Sequence, residues 1–195
     1  MTAMPTAANI TDLLEAELAL VKQAGMNKIG RFFSMGEFVL KHGREFTPSH
    51  TLPKGVRLGK LGHCFENAAK LAMDRDCYTY CEGYAMGIIP VLHAWCVDEN
   101  GVVVDPTWTR GNLEALGMAY FGVAFNTKYL IHHLLEYEKY GLIDAWEHRW
   151  PLLHDKAENL IHPKFHNANN TNANNPSIRT SIRRRTKAHL PSRVV

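Results

Sequence analysis

The chain has 195 residues, of which 46% are hydrophobic, and this suits one domain with a substantial buried core. Its net charge of +3 is divided unevenly, because residues 1–162 carry 15 Lys/Arg and 19 Asp/Glu whereas residues 163–195 carry seven Lys/Arg and no acidic residue. No apolar run approaches the roughly 20 residues that cross a bilayer, and no cationic signal-peptide start precedes the first apolar stretch. We therefore expect a cytoplasmic protein without a membrane span, with an acidic body and a basic tail.

Three helices are predicted before the first strand. Residues 10–24 and 27–42 have apolar side chains at helical spacing, and a glycine follows each segment. A loop rich in proline and glycine covers residues 45–62, and the third helix is predicted to begin at Cys64. Small and apolar side chains recur along this third helix at the spacing of one buried face, which is typical of a packed helix.

Strands are predicted in the middle of the chain. Residues 77–87 alternate and are rich in aromatic side chains, as a strand requires. Residues 88–108, IIPVLHAWCVDENGVVVDPTW, predict a β-hairpin that turns at Glu99-Asn100-Gly101. Helical spacing returns from residue 112 and is clearest in residues 127–141. Helices, then antiparallel strands, then helices again indicate the α+β fold class.

The two ends of the chain are predicted to lie outside the folded domain. We expect a flexible N-terminus over residues 1–9, one domain over residues 10–162, and a disordered tail over residues 163–195 that is first Asn-rich and then basic. The tail has cationic side chains for phosphate contacts but no interleaved aromatic residues for base stacking, so we expect at most weak nucleic-acid binding. The sequence gives no indication of oligomeric state.

The four cysteines are expected to be free thiols, because a reducing compartment is the default for a chain of this size without an export signal. No Cys-x-x-Cys pair or His-Glu-x-x-His motif occurs among the cysteines and the 11 histidines. We therefore expect neither a metal ion nor another cofactor.

Three residues together carry a chemical hypothesis: Cys64, His93 and Asp105. A thiol at a helix start meets the positive end of the helix dipole and free N–H groups, which favour the thiolate. A neighbouring imidazole can take up a proton and return it to a leaving group. A carboxylate on the second ring nitrogen fixes the tautomer and the orientation of the ring.

The register of the hairpin decides whether His93 and Asp105 can meet. A two-residue turn at Asn100-Gly101 would put their side chains on opposite faces of the sheet. A three-residue loop with Gly101 in the left-handed conformation would place Asp105 opposite Trp95 and diagonal to His93 on the same face. The hypothesis therefore predicts the three-residue loop.

The segments GHCFENAAKLA, CEGYA and HAWCVDENGVVVDPTW resemble, in this order, the motifs of the transglutaminase-like cysteine-enzyme superfamily. The resemblance covers about residues 61–108 and implies a papain-like core, in which the nucleophile helix packs on a small antiparallel sheet with flanking helices. It implies that Cys64 is the nucleophile, His93 the base and acid, and Asp105 the residue that orients the imidazole. The reaction of the family passes through a thioester on the cysteine, which water or an amine resolves.

The resemblance leaves the substrate open among peptides, proteins and small amides, since the superfamily includes transglutaminases, peptidases, deamidases and peptide-N-glycanase-like enzymes. Trp95 and Trp108 are candidates for contact with substrate. GHCFEN is also similar to arylamine N-acetyltransferases, although their Arg-Gly-Gly lead-in is missing and HAW…DPTW fits the transglutaminase-like pattern better. A non-catalytic binding module on the same fold is the further alternative.

Overall fold

The computed structural model describes residues 6–49, 51–108, 117–154 and 160–165. Within these residues the chain forms five α-helices and five β-strands, together with short 3₁₀ turns at Trp146–His148 and Pro163–Phe165. The elements in chain order are α1 (Ala7–Gln23), α2 (Met35–His42), β1 (Arg44–Phe46), α3 (Cys64–Asp74), β2 (Thr79–Met86), β3 (Pro90–Val97), β4 (Val103–Val104), β5 (Tyr120–Ala124), α4 (Thr127–Tyr137) and α5 (Pro151–His154). The mixed α+β class predicted from the sequence is confirmed.

The strands form one antiparallel sheet in the order β1-β5-β2-β3-β4. β4 is short and pairs only with Cys96 and Val97 of β3, so the first part of β3 has no partner strand on that side in the described chain. Helix α3 packs beside this edge, where the Cys96 thiol donates a hydrogen bond to the carbonyl of Ala68 at 3.2 Å. The short fourth strand therefore leaves room for the start of α3 to approach β3.

The two faces of the sheet have separate cores. The larger core lies between the sheet and the helices, and α3 contributes Ala68, Ala69 and Ala72 to it, all buried. These small side chains let α3 lie close against the sheet. The second core, on the opposite face, contains Trp95 and Tyr120, whose ring centroids are 5.0 Å apart.

The helix predicted over residues 27–42 is half as long as expected. It begins at Met35, where the side chain of Ser34 accepts a hydrogen bond from the Glu37 N–H at 3.1 Å and caps the first turn. Before it, Ile29 and Phe32 pair across a tight turn, and Gly30 has a φ of 62°, which no helix residue adopts. The helical spacing of apolar side chains therefore extended over residues 29–32, where the backbone forms this turn and not a helix.

Strands β1 and β5 were not predicted, because the predicted loop began at residue 45 and residues 120–124 were interpreted as part of a helical region. β5 lies between β1 and β2, and there Gly122 faces Gly83 of β2. A Cβ added at either glycine would meet the backbone of the other strand, so the two strands need this close approach. Pairing with strands distant in sequence thus determines the conformation of β5.

The predicted hairpin register is confirmed. Cys96 stands opposite Val104, and the Asp98 N–H bonds to the Val102 carbonyl at 3.0 Å, which leaves a three-residue loop. Gly101 closes this loop with a φ of 78°. In this register Asp105 falls opposite Trp95, on the face of the sheet that carries His93.

The described part of the chain extends into the predicted tail as far as Phe165. This side chain is buried and packs edge-on against Phe46, with 6.0 Å between the ring centroids. The remainder of the tail, residues 166–195, and the first five residues lie outside the described residues. Among the helices described, none combines the length and the apolar character that a membrane crossing needs.

Candidate active site

Cys64 is the first residue of α3 and is half-buried. At this position the N–H groups of the first turn have no partner within the helix. The preceding residue, His63, turns away from this site, because its Nδ1 lies 3.1 Å from the Glu66 carboxylate. The predicted start of the helix at the thiol is confirmed.

His93 and Asp105 form a buried pair. His93 Nε2 donates to Asp105 Oδ2 at 2.8 Å, and the two residues are 2% and 4% exposed. The other carboxylate oxygen, Oδ1, accepts the backbone N–H groups of Thr107 at 2.8 Å and Trp108 at 3.0 Å. These two backbone bonds hold the carboxylate in place. The carboxylate in turn holds the imidazole in one orientation through its bond to Nε2.

The side chain of Cys64 reaches the same imidazole. Burial is the largest influence on the pKa of His93 and lowers it, but the interactions of the ring with Asp105 and with Cys64 together outweigh burial and raise this pKa to about 9. With Nε2 bound to Asp105, the nitrogen left for the thiol is Nδ1. Sulfur, imidazole and carboxylate therefore form one chain of interactions in which the ring carries a proton at neutral pH.

The two tryptophans that were predicted to contact substrate have different environments. Trp108 lies flat against the imidazole of His93, with 3.9 Å between the ring centroids and 17° between the planes, and its half-buried ring forms a wall of the site. Trp95 is completely buried and packs against Phe46 and Tyr120. Its predicted contact with substrate therefore finds no support in this structure.

Asn67, one turn after Cys64, joins α3 to the segment that follows β4. Its side-chain amide donates to Thr107 Oγ1 at 3.0 Å and to the Lys60 carbonyl at 2.9 Å. Nearby, the Gly59 N–H donates to the carbonyl of Pro106 at 2.7 Å. These bonds hold the loop before α3, the first turns of α3 and the segment after β4 in one arrangement around the thiol.

The other three cysteines differ from Cys64 in their surroundings. Cys81 and Cys96 are buried, and burial raises the pKa of both thiols above the ordinary range, which suppresses their reactivity. Cys77 is exposed at the surface between α3 and β2. The chain therefore contains its own reference thiol, one that is more accessible than Cys64 but lies outside the site.

Two residues of the site region were not identified from the sequence. Tyr120 donates its hydroxyl to Asp105 Oδ2 at 2.9 Å, the same oxygen that binds His93. Glu82 is buried on β2 and binds the Tyr80 hydroxyl at 2.6 Å and the backbone N–H groups of Leu142 and Ile143. Tyr120 belongs to the unpredicted strand β5, so no signal indicated its role, whereas a carboxylate within a strand of buried side chains was a usable signal for Glu82.

Replacing Tyr120 by Phe is expected to lower the free energy of unfolding by about 1.5–3 kcal/mol, since the hydroxyl bonds to a buried charged group. Urea denaturation followed by circular dichroism measures the change. Tyr84→Phe is the matched control, because the described residues offer no hydrogen-bond partner to the Tyr84 hydroxyl. Equal losses in the two variants would contradict a specific bond to Asp105.

Comparisons with known proteins return no match for this chain: no family model matches it, and neither does a curated protein or a solved structure.

Proposed function

We propose that the protein is a cysteine-dependent amide hydrolase or acyltransferase with a transglutaminase-like, papain-like core. The observation that carries the proposal is the connected set formed by Cys64, His93 and Asp105, with His93 Nε2 held 2.8 Å from Asp105 Oδ2. Further support comes from the position of the thiol at a helix start, where free backbone N–H groups are available to bind an oxyanion. This arrangement is the one that acyl transfer through a thiol requires.

The first half of the reaction forms a thioester. The Cys64 sulfur attacks the carbonyl carbon of the substrate amide, and the backbone N–H of Cys64 stabilises the oxyanion that develops. The C–N bond then breaks, and the amine leaves with the proton that His93 donates. The raised pKa of His93, about 9, keeps this proton on the ring at neutral pH until the amine needs it.

The second half releases the acyl group. Water, or a second amine, attacks the thioester carbon while the now neutral His93 removes its proton. The C–S bond breaks and the thiolate re-forms beside the protonated imidazole. Asp105 keeps the ring in one orientation through both halves. Peptides, proteins and small amides all contain the required bond, and we favour hydrolysis because it needs no site for a second substrate.

Competition between thiols within the folded protein tests the proposal. The protein is treated with limiting iodoacetamide at pH 7, and the alkylated cysteines are quantified by peptide mass spectrometry over time. Accessibility alone predicts that the exposed Cys77 reacts ahead of the half-buried Cys64. The proposal predicts the reverse order, since an ordinary thiol holds only a few per cent thiolate at this pH. Alkylation of Cys77 ahead of Cys64 would overturn it.

The protonation of His93 makes a second, pH-dependent prediction. Iodoacetate is an anion, and a protonated imidazole beside the sulfur attracts it, so its rate at Cys64 should exceed the rate of neutral iodoacetamide. The ratio of the two rates is expected to fall as the pH rises, with a midpoint near the His93 pKa of about 9. At Cys77 the ratio should stay level. A ratio at Cys64 that is independent of pH would contradict a protonated partner.

A further inference from the structure

A cleft of about 280 Å³ adjoins the candidate active site along α3. Asn67 and Pro106 line the end nearest the site, and these residues lie one helical turn after Cys64 and directly after Asp105. From there the cleft runs beside α3 towards Gly55 and Arg75. Residues one turn apart on a helix face have Cβ atoms about 5–6 Å apart, so the Asn67 end of the cleft lies close to Cys64.

Most of the charged residues that line the cleft are cationic. The lining contains three cations, Arg57, Lys70 and Arg75, and one carboxylate, Asp74. The loop over residues 47–63 adds two lysines to Arg57 and contains no acidic residue. This basic region stands out because residues 1–162 as a whole carry more acidic than basic side chains. A cleft in which cations outnumber carboxylates raises the local concentration of anionic ligands.

The three cations of the cleft differ in whether they already bind a group within the protein. Lys70 pairs with Glu66 at 2.5 Å, and the guanidinium of Arg75 donates to the Gly55 carbonyl at 2.5 Å. Arg57 is exposed, and among the described residues it has no ion-pair partner. Because a guanidinium can bind a carboxylate through two parallel hydrogen bonds, Arg57 is the side chain best placed to meet an anionic ligand.

We infer that this cleft binds a carboxylate side chain of the substrate, so that the enzyme acts on amide bonds in acidic peptides. The inference rests on the proposed function and adds a substrate class to it. The cleft is small: its volume of about 280 Å³ lies just below the range of about 300–1,000 Å³ that holds a drug-sized ligand. One side chain with its flanking peptide groups is therefore a suitable occupant.

The test uses tripeptide probes that carry a thiol-reactive acyloxymethyl ketone at the C-terminus. One Glu stands at each of the three peptide positions in turn, and each probe has a partner with Gln in its place, which has the same shape and no charge. We expect the Glu probe to label Cys64 about 10-fold faster than its Gln partner at one position, as a charge-assisted hydrogen bond implies. The preference should weaken when salt is raised from about 0.05 M to about 0.5 M.

Arg57→Gln is expected to bring the Glu-to-Gln ratio close to one, because the two probes of a pair differ only in the charge that Arg57 would bind. Lys128→Gln removes an exposed cation at the start of α4 and should leave the ratio as it is. Equal rates for every Glu and Gln pair, or a ratio that survives Arg57→Gln, would overturn the inference and leave the proposed function standing. Failure of the proposed function is recognised separately, by Cys77 reacting with iodoacetamide ahead of Cys64.

Discussion

Replacing His93 by Gln is expected to slow the alkylation of Cys64 by iodoacetamide about 30-fold at pH 7. Without the imidazole the thiol loses the base that takes up its proton, and a cysteine without such a base is a weak nucleophile at this pH. In turnover of an amide substrate the loss is expected to be larger, about 10²–10⁴-fold, because the leaving amine also loses its proton donor. Peptide mass spectrometry of all four thiols measures the alkylation rates.

The chain offers internal controls for this variant. Cys96 is buried in the larger core and Cys81 in the second core. Both thiols should stay unreactive if the variant folds. Cys77 should keep its wild-type rate, and His148→Gln, at an exposed position, should change none of the four rates. A Cys64 rate that is the same in His93→Gln and in the wild type would remove His93 from the mechanism.

Replacing Glu82 by Ala is expected to cost about 3 kcal/mol or more of the free energy of unfolding at pH 7. The buried carboxylate binds the Tyr80 hydroxyl and the backbone N–H groups of Leu142 and Ile143. Truncation leaves the two N–H groups without this acceptor, and the Tyr80 hydroxyl keeps only its 3.2 Å bond to the Tyr140 carbonyl. Glu15→Ala on the exposed side of α1 should change the stability by no more than about 0.5 kcal/mol. Urea denaturation measures both; a loss below about 1 kcal/mol in Glu82→Ala would contradict this role.

Glu82 also makes a prediction about pH. Burial, the largest cause, raises its pKa from 4.5 to about 7 in the folded protein, although its hydrogen bonds oppose the rise. Between these values the folded state holds a proton that the unfolded chain has released, so the stabilisation present below pH 4.5 is lost as the pH rises through about 7. The difference in stability between wild type and Glu82→Gln should therefore shift in favour of the variant over this range. A difference that is constant with pH would contradict the raised pKa.

The effect of Glu82 reaches the candidate site through one segment. Leu142 and Ile143, which Glu82 holds, follow Gly141, and this glycine lies against the ring of Phe65, the neighbour of the thiol. The carboxylate thus fixes the chain that packs beside the first turn of α3. For this reason the Glu82 variants are to be compared in Cys64 alkylation as well as in stability.

The meeting of His93 and Asp105 could be predicted because it depends on local rules. The two residues are separated by one hairpin, so only two loop lengths had to be weighed, and the hypothesis required the three-residue loop that Gly101 closes with positive φ. The start of α3 at Cys64 was equally local, since the small side chains that follow have one helical period. The approach of α3 to β3 could not be derived from the residues, because no rule about spacing places a helix against a particular strand.

What the sequence missed depends on contacts between distant segments. Strand β5 lies between β1 and β2, and the glycine pair that allows this, Gly83 and Gly122, is separated by a helix-like stretch of sequence and a hairpin. This pairing brings Tyr120 to Asp105, so the role of Tyr120 could not be predicted without β5. The early part of the predicted second helix failed for a related reason: Arg31 bonds through its N–H to the carbonyl of Leu153, far along the chain.

The central claim is that Cys64, His93 and Asp105 act as one coupled unit, and titration of the His93 imidazole by ¹⁵N NMR tests it most directly. In the wild type the ring is expected to titrate near pH 9, and Cys64→Ala should lower this midpoint because it removes one of the two partners that raise it. Titration near the ordinary value of 6.5, or a midpoint that Cys64→Ala leaves unmoved, would show that the sulfur and the ring are not coupled and would contradict the account.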